Sequence, residues 1–505
     1  MSIGITKKRF AVNVVMNWTA TAVNMIVPFF LTPFVVHHLG STAYGVWILA
    51  VSTTSYLGLL DLGLRSAIIR YVSKAHAQNR ELESNDVIST ALIIRILIAL
   101  VVAFASVVLA FVTPKIFKLP AGLVQAAQIT VLMCALGVAI NLVSGVFSAV
   151  LSALNRFDVL SSITMSQTIF RATGVLVLLL RGHGLISLAY WEIVVILFAA
   201  IATTFIVLRI YPPALPKIGW PSRELLRTLW SYSFTTFVFM LAVQIIVNTD
   251  SLVIGAVLSV TMVTFFTIGS SLISYAQQVS SAVSTMFVPM ASGLEASGRF
   301  EDLRRLLIRG TQGMLGLSLP IAIALFFRGK TFINLWMGPQ YGQISETVLR
   351  ILTIALFLSM ADSTASAIIM AMGRHKMMTI WTVGEALLNF GISVLLAKKV
   401  GLYGVAWGTS ISMVIIHLGF FPRAVKKELG VPTSTFLWEG WAKISLCCVP
   451  YGFLCWYTER MWHAQNLLVF FVQIIAILPV YGLGVLALFR HEARAVFHKW
   501  RTAAA

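Results

Sequence analysis

Charge is the first thing this chain lacks. Of its 505 residues only 11% are Asp, Glu, Lys or Arg, and just 18 are acidic. A water-soluble chain carries about 25% charged residues. Cysteine is scarce as well. Cys134, Cys447, Cys448 and Cys455 all stand in apolar runs without metal-ligand spacing. That excludes a disulfide framework or a thiolate metal centre and leaves buried free thiols. Histidines number nine. The adjacent His37 and His38 have no acid or third ligand near them in sequence and read as interfacial. There is no Ser-His-Asp arrangement, phosphate-binding glycine loop or Cys-x-x-Cys. No catalytic residue, metal site or cofactor is therefore indicated. Long polar segments are also missing, so the net charge of +19 does not point to nucleic acid. No basic block exceeds Lys7-Lys8-Arg9, and no soluble domain could carry a groove.

What is present is apolar residue in long runs. The hydrophobic share is 58% and the mean hydropathy is +0.90, which marks an all-α polytopic membrane protein. Fourteen runs are expected to span, at about 11–36, 44–69, 87–112, 122–150, 159–180, 185–209, 229–258, 262–289, 310–337, 344–372, 376–397, 401–421, 441–458 and 466–489. They are about twice too long for barrel strands, so helices are the spanning unit. The first run is too long for a signal peptide and reads as a retained span. With the N-terminus inside, 25 of the 37 Lys and Arg fall on inner segments, 8 on outer ones (Arg328 and Lys330 among them) and 4 within spans. That bias puts both termini in the cytoplasm.

The chain also repeats. Ser148–Asp158 matches Ser366–Lys376 at an offset of 218, with identical Ser, Ala, Ala and Arg. Gly184 and its followers echo Gly401 at 217, and Ser73, Ala77 and Arg80 map onto Ser292, Ala296 and Arg299 at 219. Spans 1–6 and 7–12 are therefore expected to be two six-helix copies. Six is even, so both insert the same way up, as a parallel repeat. The domains expected are a lobe at 1–210, a cytoplasmic linker at 211–228, a second lobe at 229–421, and two further helices with a cytoplasmic tail at 422–505.

Polar residues inside the spans are the candidates for function, because charge in hydrocarbon is costly. In the second span Thr54, Gly58, Asp61 and Arg65 share one face of a continuous helix, at spacings of 4, 3 and 4. The structural alternative is an Asp61–Arg65 pair that only packs helices. Other stripes carry Asn24, Gln167 with Arg171, Ser274 with Gln277, and Glu385 with Asn389. Small polar stripes also serve close helix packing. The intramembrane arginines are Arg65, Arg95, Arg171 and Arg350; the acids are Asp61, Glu192, Asp250, Asp362 and Glu385. At the repeat offset Gln167 corresponds to Glu385, Arg171 to Asn389 and Ser144 to Asp362, so the two copies differ in charge.

These residues also carry a resemblance. The second span opens on Tyr44, Gly45 and Trp47, continues through Asp61-Leu62-Gly63-Leu64 and ends on Arg70-Tyr71-Val72. With Leu154–Asp158, Asn248–Ser259 and Pro289–Leu307, it resembles the polysaccharide (Wzx-type, O-antigen flippase-like) exporters of the MATE/lipid-flippase superfamily. The resemblance implies two six-helix lobes around a central cavity in the bacterial inner membrane. It implies a flippase for undecaprenyl-diphosphate-linked oligosaccharide, working by alternating access among membrane lipids. A polysaccharide polymerase and a chain-length regulator are candidate partners. Under that reading Arg171, Arg65, Arg95 and Arg350 balance the diphosphate, while Asn24, Gln167, Gln277 and Asn389 bind sugar hydroxyls. Glu385, Asp362, Asp61 and Asp250 are candidates for coupling to a proton or sodium. Glu385, with no basic residue within one turn, is expected to be unpaired. Arg171, the foremost substrate candidate, has as its alternative an ion pair with Asp61 or another acid.

Three rival functions fit the same spans. A cation exporter of the superfamily would want acids rather than arginines in its cavity. A membrane-embedded polymerase or ligase would want a substantial outer loop, where all appear short. A lipid II flippase differs only in cargo. The topology is directly testable. A reporter fused after Pro213 or Gly430 is expected in the cytoplasm, and one after Lys118 or Gln340 outside. An outside signal at Pro213 would overturn the repeat, since that segment joins its two copies.

Overall fold

The computed structural model describes residues 7–216 and 234–488, and among them every regular element is helical. Most of the 211–228 linker and the basic tail from Arg490 lie outside the described residues. Among the described residues twelve helices are long and apolar enough to cross a membrane. Two of the fourteen expected runs are helical but fall short of that standard. Val260–Ser284 is diluted by serines and glutamines. The run expected at 441–458 falls within 433–461, which is broken into short pieces by a π-helical turn at Phe436–Ala442 and an interruption at Cys448. The chain divides into two compact units, Met1–Thr264 and Phe265–Ala505. None of the four cysteines is disulfide-bonded.

In the first unit Glu81–Ile116 packs along Val124–Ala153, which packs in turn on Leu185–Ile210, while Lys7–Leu39 lies along Phe157–Leu180. The exposed face of Glu81–Ile116 is its most apolar one. Leu97, Leu100, Val101, Phe104, Val108 and Phe111 recur at helical spacing and all stand out of the protein, as a lipid-facing stripe does. The buried side is made of smaller residues such as Ala91, Val102, Ser106 and Ala110, which let neighbouring backbones approach. Gly45 shows how close that approach is. A Cβ there would sit 2.2 Å from the Val260 carbonyl oxygen. The same junction is stitched by a 2.9 Å Thr42–Thr261 hydroxyl contact and by Thr264 Oγ1 donating to the Ser41 carbonyl at 2.6 Å.

The second span is not one helix. Ser41–Ser55 is α-helical, Tyr56–Asp61 tightens into a 3-10 turn, and Leu62 and Gly63 are both left-handed, at φ 49° and 75°. A new helix, Leu64–Ala77, then begins. Thr54, Gly58, Asp61 and Arg65 therefore do not share a helical face. The apolar run conceals the break because only Gly63 is a conformational signal; Leu62 adopts the left-handed state at a cost of about 1–2 kcal/mol.

Elsewhere the helix stops come in matched pairs. Asn79 and Gly298, 219 residues apart, are both left-handed, as are Asn155 and Gly373, 218 apart. In each the next residue is arginine, and its N–H reaches back five residues. Arg80 bonds Ala75, Arg299 bonds Leu294 and Arg156 bonds Leu151, each at 2.9 Å; Arg374 bonds Ile369 at 3.2 Å. These are glycine-or-asparagine helix ends with the terminal carbonyls satisfied.

In the second unit the antiparallel pair Phe300–Met337 and Pro339–Ala371 turns tightly through Gly338 at φ 107°. Pro339–Ala371 is buried along most of its length and packs against Leu402–Val414 and Phe287–Ala296. The last helix, Leu467–Leu488, lies against Phe300–Met337 and Val449–Met461. Several of the connections expected on the outer side are short. Gly40, 258–259, Gly338 and Gly401 alone join the helices on either side of them.

Candidate functional site

Desolvation decides where the charges go. Asp61, at the end of the 3-10 turn, is brought beside Arg95 of Glu81–Ile116. The Arg95 Nη2 group donates to Asp61 Oδ1 and Nη1 donates to the Leu142 carbonyl at 2.9 Å. Arg95 is 2% exposed, and Gly145 makes room for it, since a Cβ there would lie 2.5 Å from Nη1. The Asp61–Arg65 pair does not form. Arg65 is exposed and makes no ion pair among the described residues. The reason is the left-handed break, which separates the two residues that a continuous helix would have stacked.

Arg171 is also paired, but not with Asp61. Its Nε and Nη2 donate to the two carboxylate oxygens of Glu192 at 2.8 and 2.7 Å, in a bidentate fork. The neighbouring Trp191 donates its indole N–H to the Arg171 carbonyl at 3.2 Å. Gly174 lets that indole lie on the Phe157–Leu180 helix, since any Cβ there would overlap the ring. A cavity of about 150 Å³ opens beside the pair, with Pro28, Thr32, Tyr44 and Trp47 among its walls. Asn24 accepts a hydrogen bond from the Thr168 hydroxyl, while Gln167 is half-buried. Asp250 is 5% exposed, next to Thr249, whose hydroxyl meets Tyr56 Oη at 2.7 Å.

The second unit holds a three-residue titratable cluster. His417, in a π-helical turn at Ile415–Phe420, places Nδ1 2.8 Å from Asp362 Oδ2 and Nε2 3.5 Å from Glu385 Oε2. Glu385 is thus not unpaired: its partner comes from another helix, 32 residues on. Asp362 and Glu385 are 1% and 8% exposed. Asp362 Oδ1 has no hydrogen-bond partner among the described residues, and the Phe421 ring stacks on the imidazole at 6.0 Å. The extra residue of the π turn aims His417 at both acids, as such turns often do at functional sites. His417 was legible in principle as a lone histidine in an apolar span; its two partners were not.

The other expected site residues are placed as follows. Arg350 pairs locally with Glu346 at 2.7 Å and donates to the Phe326 carbonyl at 3.0 Å. Asn389 is fully buried and donates to Thr409 Oγ1 at 2.9 Å, so it faces protein rather than a cavity. Gln277 is half-buried on Val260–Ser284. Arg328, read as an outer-loop cation, is instead completely buried within Phe300–Met337. It donates to Gln473 Oε1 at 2.6 Å and lies 3.4 Å from Glu459 Oε2, which ties the last two helices to their neighbour. Among the described residues no group of three or more His, Cys, Asp or Glu side chains is arranged to hold a metal ion.

Of the four arginines expected within spans, Arg95, Arg171 and Arg350 lie in spanning helices and carry an acid, whereas Arg65, in Leu64–Ala77 beyond the Ser41–Asp61 span, carries none among the described residues. Breaking a buried pair by removing one partner costs roughly 3–5 kcal/mol, because the other charge is stranded. Arg95→Leu and Asp61→Leu are each expected to reduce the folded membrane fraction steeply, and the double change to restore much of it. Equal loss in the double variant would show that the pair is not what holds these helices.

Comparison with known proteins places this arrangement. A profile described as polysaccharide biosynthesis protein matches residues 37–346. The chain is 25% identical over 443 residues to the "Uncharacterized membrane protein EpsK" of Bacillus subtilis (strain 168), covering 85% of each. It is 20% identical over 384 residues to the "Putative O-antigen transporter" of Shigella flexneri, covering 76% of this chain and 90% of that one. Its fold is similar to that of the lipid II flippase MurJ in an inward closed conformation (TM-score 0.73, 17% identity, 95% of this chain and 99% of MurJ). It is also similar to an inward-facing multidrug resistance MATE family transporter of the MOP superfamily (TM-score 0.64, 16% identity, 81% of this chain and 95% of that one).

Proposed function

The chain belongs to the polysaccharide biosynthesis protein family, and on that premise we propose that it is a flippase for lipid-linked oligosaccharide, carrying undecaprenyl-diphosphate-linked repeat units across the inner membrane by alternating access. The observation that carries this reading is the relationship to a protein named as an O-antigen transporter, together with a fold shared with a lipid flippase along nearly the whole chain. The two six-helix repeats, with lobes at 1–210 and 229–421, and the cytoplasmic placement of both termini belong to the same proposal. The matched left-handed helix stops support it. The short outer connections support transport over polymerisation, because a polymerase or ligase needs room to hold two sugar chains.

Within this reading the diphosphate falls to Arg65. Of the four arginines expected within spans it is the one whose charge no acid offsets among the described residues, and it stands exposed just after the left-handed break, in Leu64–Ala77 beyond the Ser41–Asp61 span. A guanidinium binds phosphate oxygens through paired N–H bonds, whereas an ammonium offers only a point charge. Arg65→Ala is expected to stop surface polysaccharide export in a flippase-deleted host at near-normal membrane level, and Arg65→Lys to keep part of it. Normal export by Arg65→Ala would remove Arg65 from the substrate path.

Coupling is assigned to Asp362, His417 and Glu385, with a proton as the ion. A hydrogen bond to Asp362 and a favourable contact to Glu385 through one imidazole require two protons among the three groups. These are held either as an imidazolium between two carboxylates or as a neutral imidazole with one carboxylic acid. Losing one proton leaves two buried carboxylates and a ring that can donate to only one of them. Each protonation step therefore changes which helices are tied together, as a coupling site must. His417→Gln and Glu385→Gln are each expected to abolish dependence of export on a pH gradient more than they lower protein level. Unchanged proton dependence, or dependence on sodium alone, would transfer coupling elsewhere, with Asp250 as the next candidate.

A further inference from the structure

The Arg171–Glu192 pair does more than cancel charge. Both partners reach the wall of the 150 Å³ cavity, with side chains 37% and 19% exposed. Arg171 spends Nε and Nη2 on Glu192. Its Nη1 has no hydrogen-bond partner among the described residues, so both Nη1 N–H donors and the second Nη2 N–H remain for a ligand. Each Glu192 oxygen accepts one bond and retains capacity for another. The remaining walls include Trp47 and Tyr44 from Ser41–Ser55, and Thr32, whose hydroxyl donates to the Pro28 carbonyl at 2.7 Å and so presents its lone pairs.

The charge of this cavity decides its ligand class. With Arg171 and Glu192 bonded bidentately the pair is neutral, which favours neither a diphosphate nor a cation. Its edge offers donors and acceptors side by side, as a vicinal pair of hydroxyls requires, and indole supplies an apolar face for C–H groups. A cavity of about 150 Å³ is large enough for a six-membered ring. The pair is also not demanded by helix packing. At the repeat offsets of 218 and 217, Arg171 and Glu192 correspond to Asn389 and Thr409, which hydrogen-bond each other at 2.9 Å, with Asn389 sealed from solvent. The same helix junction is closed with neutral groups in one place and opened around an ion pair in the other.

We infer that the cavity at Arg171, Glu192 and Trp47 is a subsite for one uncharged sugar ring of the cargo, separate from the diphosphate contact. The inference rests on the cargo being a lipid-linked sugar chain. Arg171 and Glu192 hydrogen-bond the ring hydroxyls, and Trp47 covers its apolar face.

The test uses the full chain in nanodiscs and two probes, bare polyprenyl diphosphate and the same lipid bearing a single hexose. The wild type is expected to bind the glycosylated probe about tenfold more tightly, the size of effect a few buried hydrogen bonds supply. Trp47→Ala should erase that preference and leave affinity for the bare lipid unchanged, while Trp47→Phe keeps most of it and controls for folding. Glu192→Gln, which leaves Arg171 charged, should weaken the glycosylated probe's advantage and strengthen binding of the bare diphosphate. A Trp47→Ala effect on both probes alike, or on neither, overturns the subsite. Equal binding of the two probes by the wild type overturns the subsite and leaves the cargo class standing. Binding of neither overturns both.

Discussion

Every other feature depends on one constraint: a charge placed in hydrocarbon must find its counterpart inside the protein. Holding an arginine at mid-membrane costs about 2.5–3.5 kcal/mol even on a lenient scale. This chain answers with pairs that bridge helices. Asp61 with Arg95, Arg171 with Glu192 and Arg328 with Glu459 each join two different helices. Asp362, His417 and Glu385 join three. The pairs therefore set which helices are neighbours as well as how charge is balanced. Helix packing between them is left to small residues such as Gly45 and Gly145, which bring backbone or guanidinium to within reach.

The same fact explains what could be read in advance. Apolar runs are local, and so the helical class and most of the spans were legible. Charge bias is local too, and it proposed an orientation. Bridging pairs are not local: the partners lie 34, 21 and 131 residues apart. Sequence spacing sees only neighbours at three or four residues, and it suggested Asp61 with Arg65. It also left Glu385 unpaired, because His417 arrives from another helix through a π turn that no periodicity announces. The break at Leu62-Gly63 was hidden for a related reason. Its hydrophobic pattern continues across it, and one glycine inside a helix is ordinarily tolerated.

The matched helix stops, at the offsets where a repeat is expected, separate what is kept from what is free. Asn79 and Gly298, or Asn155 and Gly373, differ chemically yet occupy the same left-handed conformation. Either residue satisfies the backbone there, because both bear φ above zero at low cost. Identity is unimportant at these stops, and geometry is what recurs. At the buried polar positions the reverse holds. Arg171 with Glu192 and Asn389 with Thr409 fill matching places with opposite chemistry, a neutralised ion pair open to a cavity against a closed amide–hydroxyl contact.

That contrast bears on what a shared fold leaves open. A fold alone does not name a function. Here the recurring part, the geometry of the helix ends, is met by more than one residue type and carries little information about a ligand. The part that differs is a handful of side chains whose charge must be balanced in any case. Changing a balanced pair for a neutral one leaves packing nearly intact and alters what a cavity accepts. On the proposed reading, substrate choice moves at a few internal positions while the surrounding helices, held by other pairs, stay where they are.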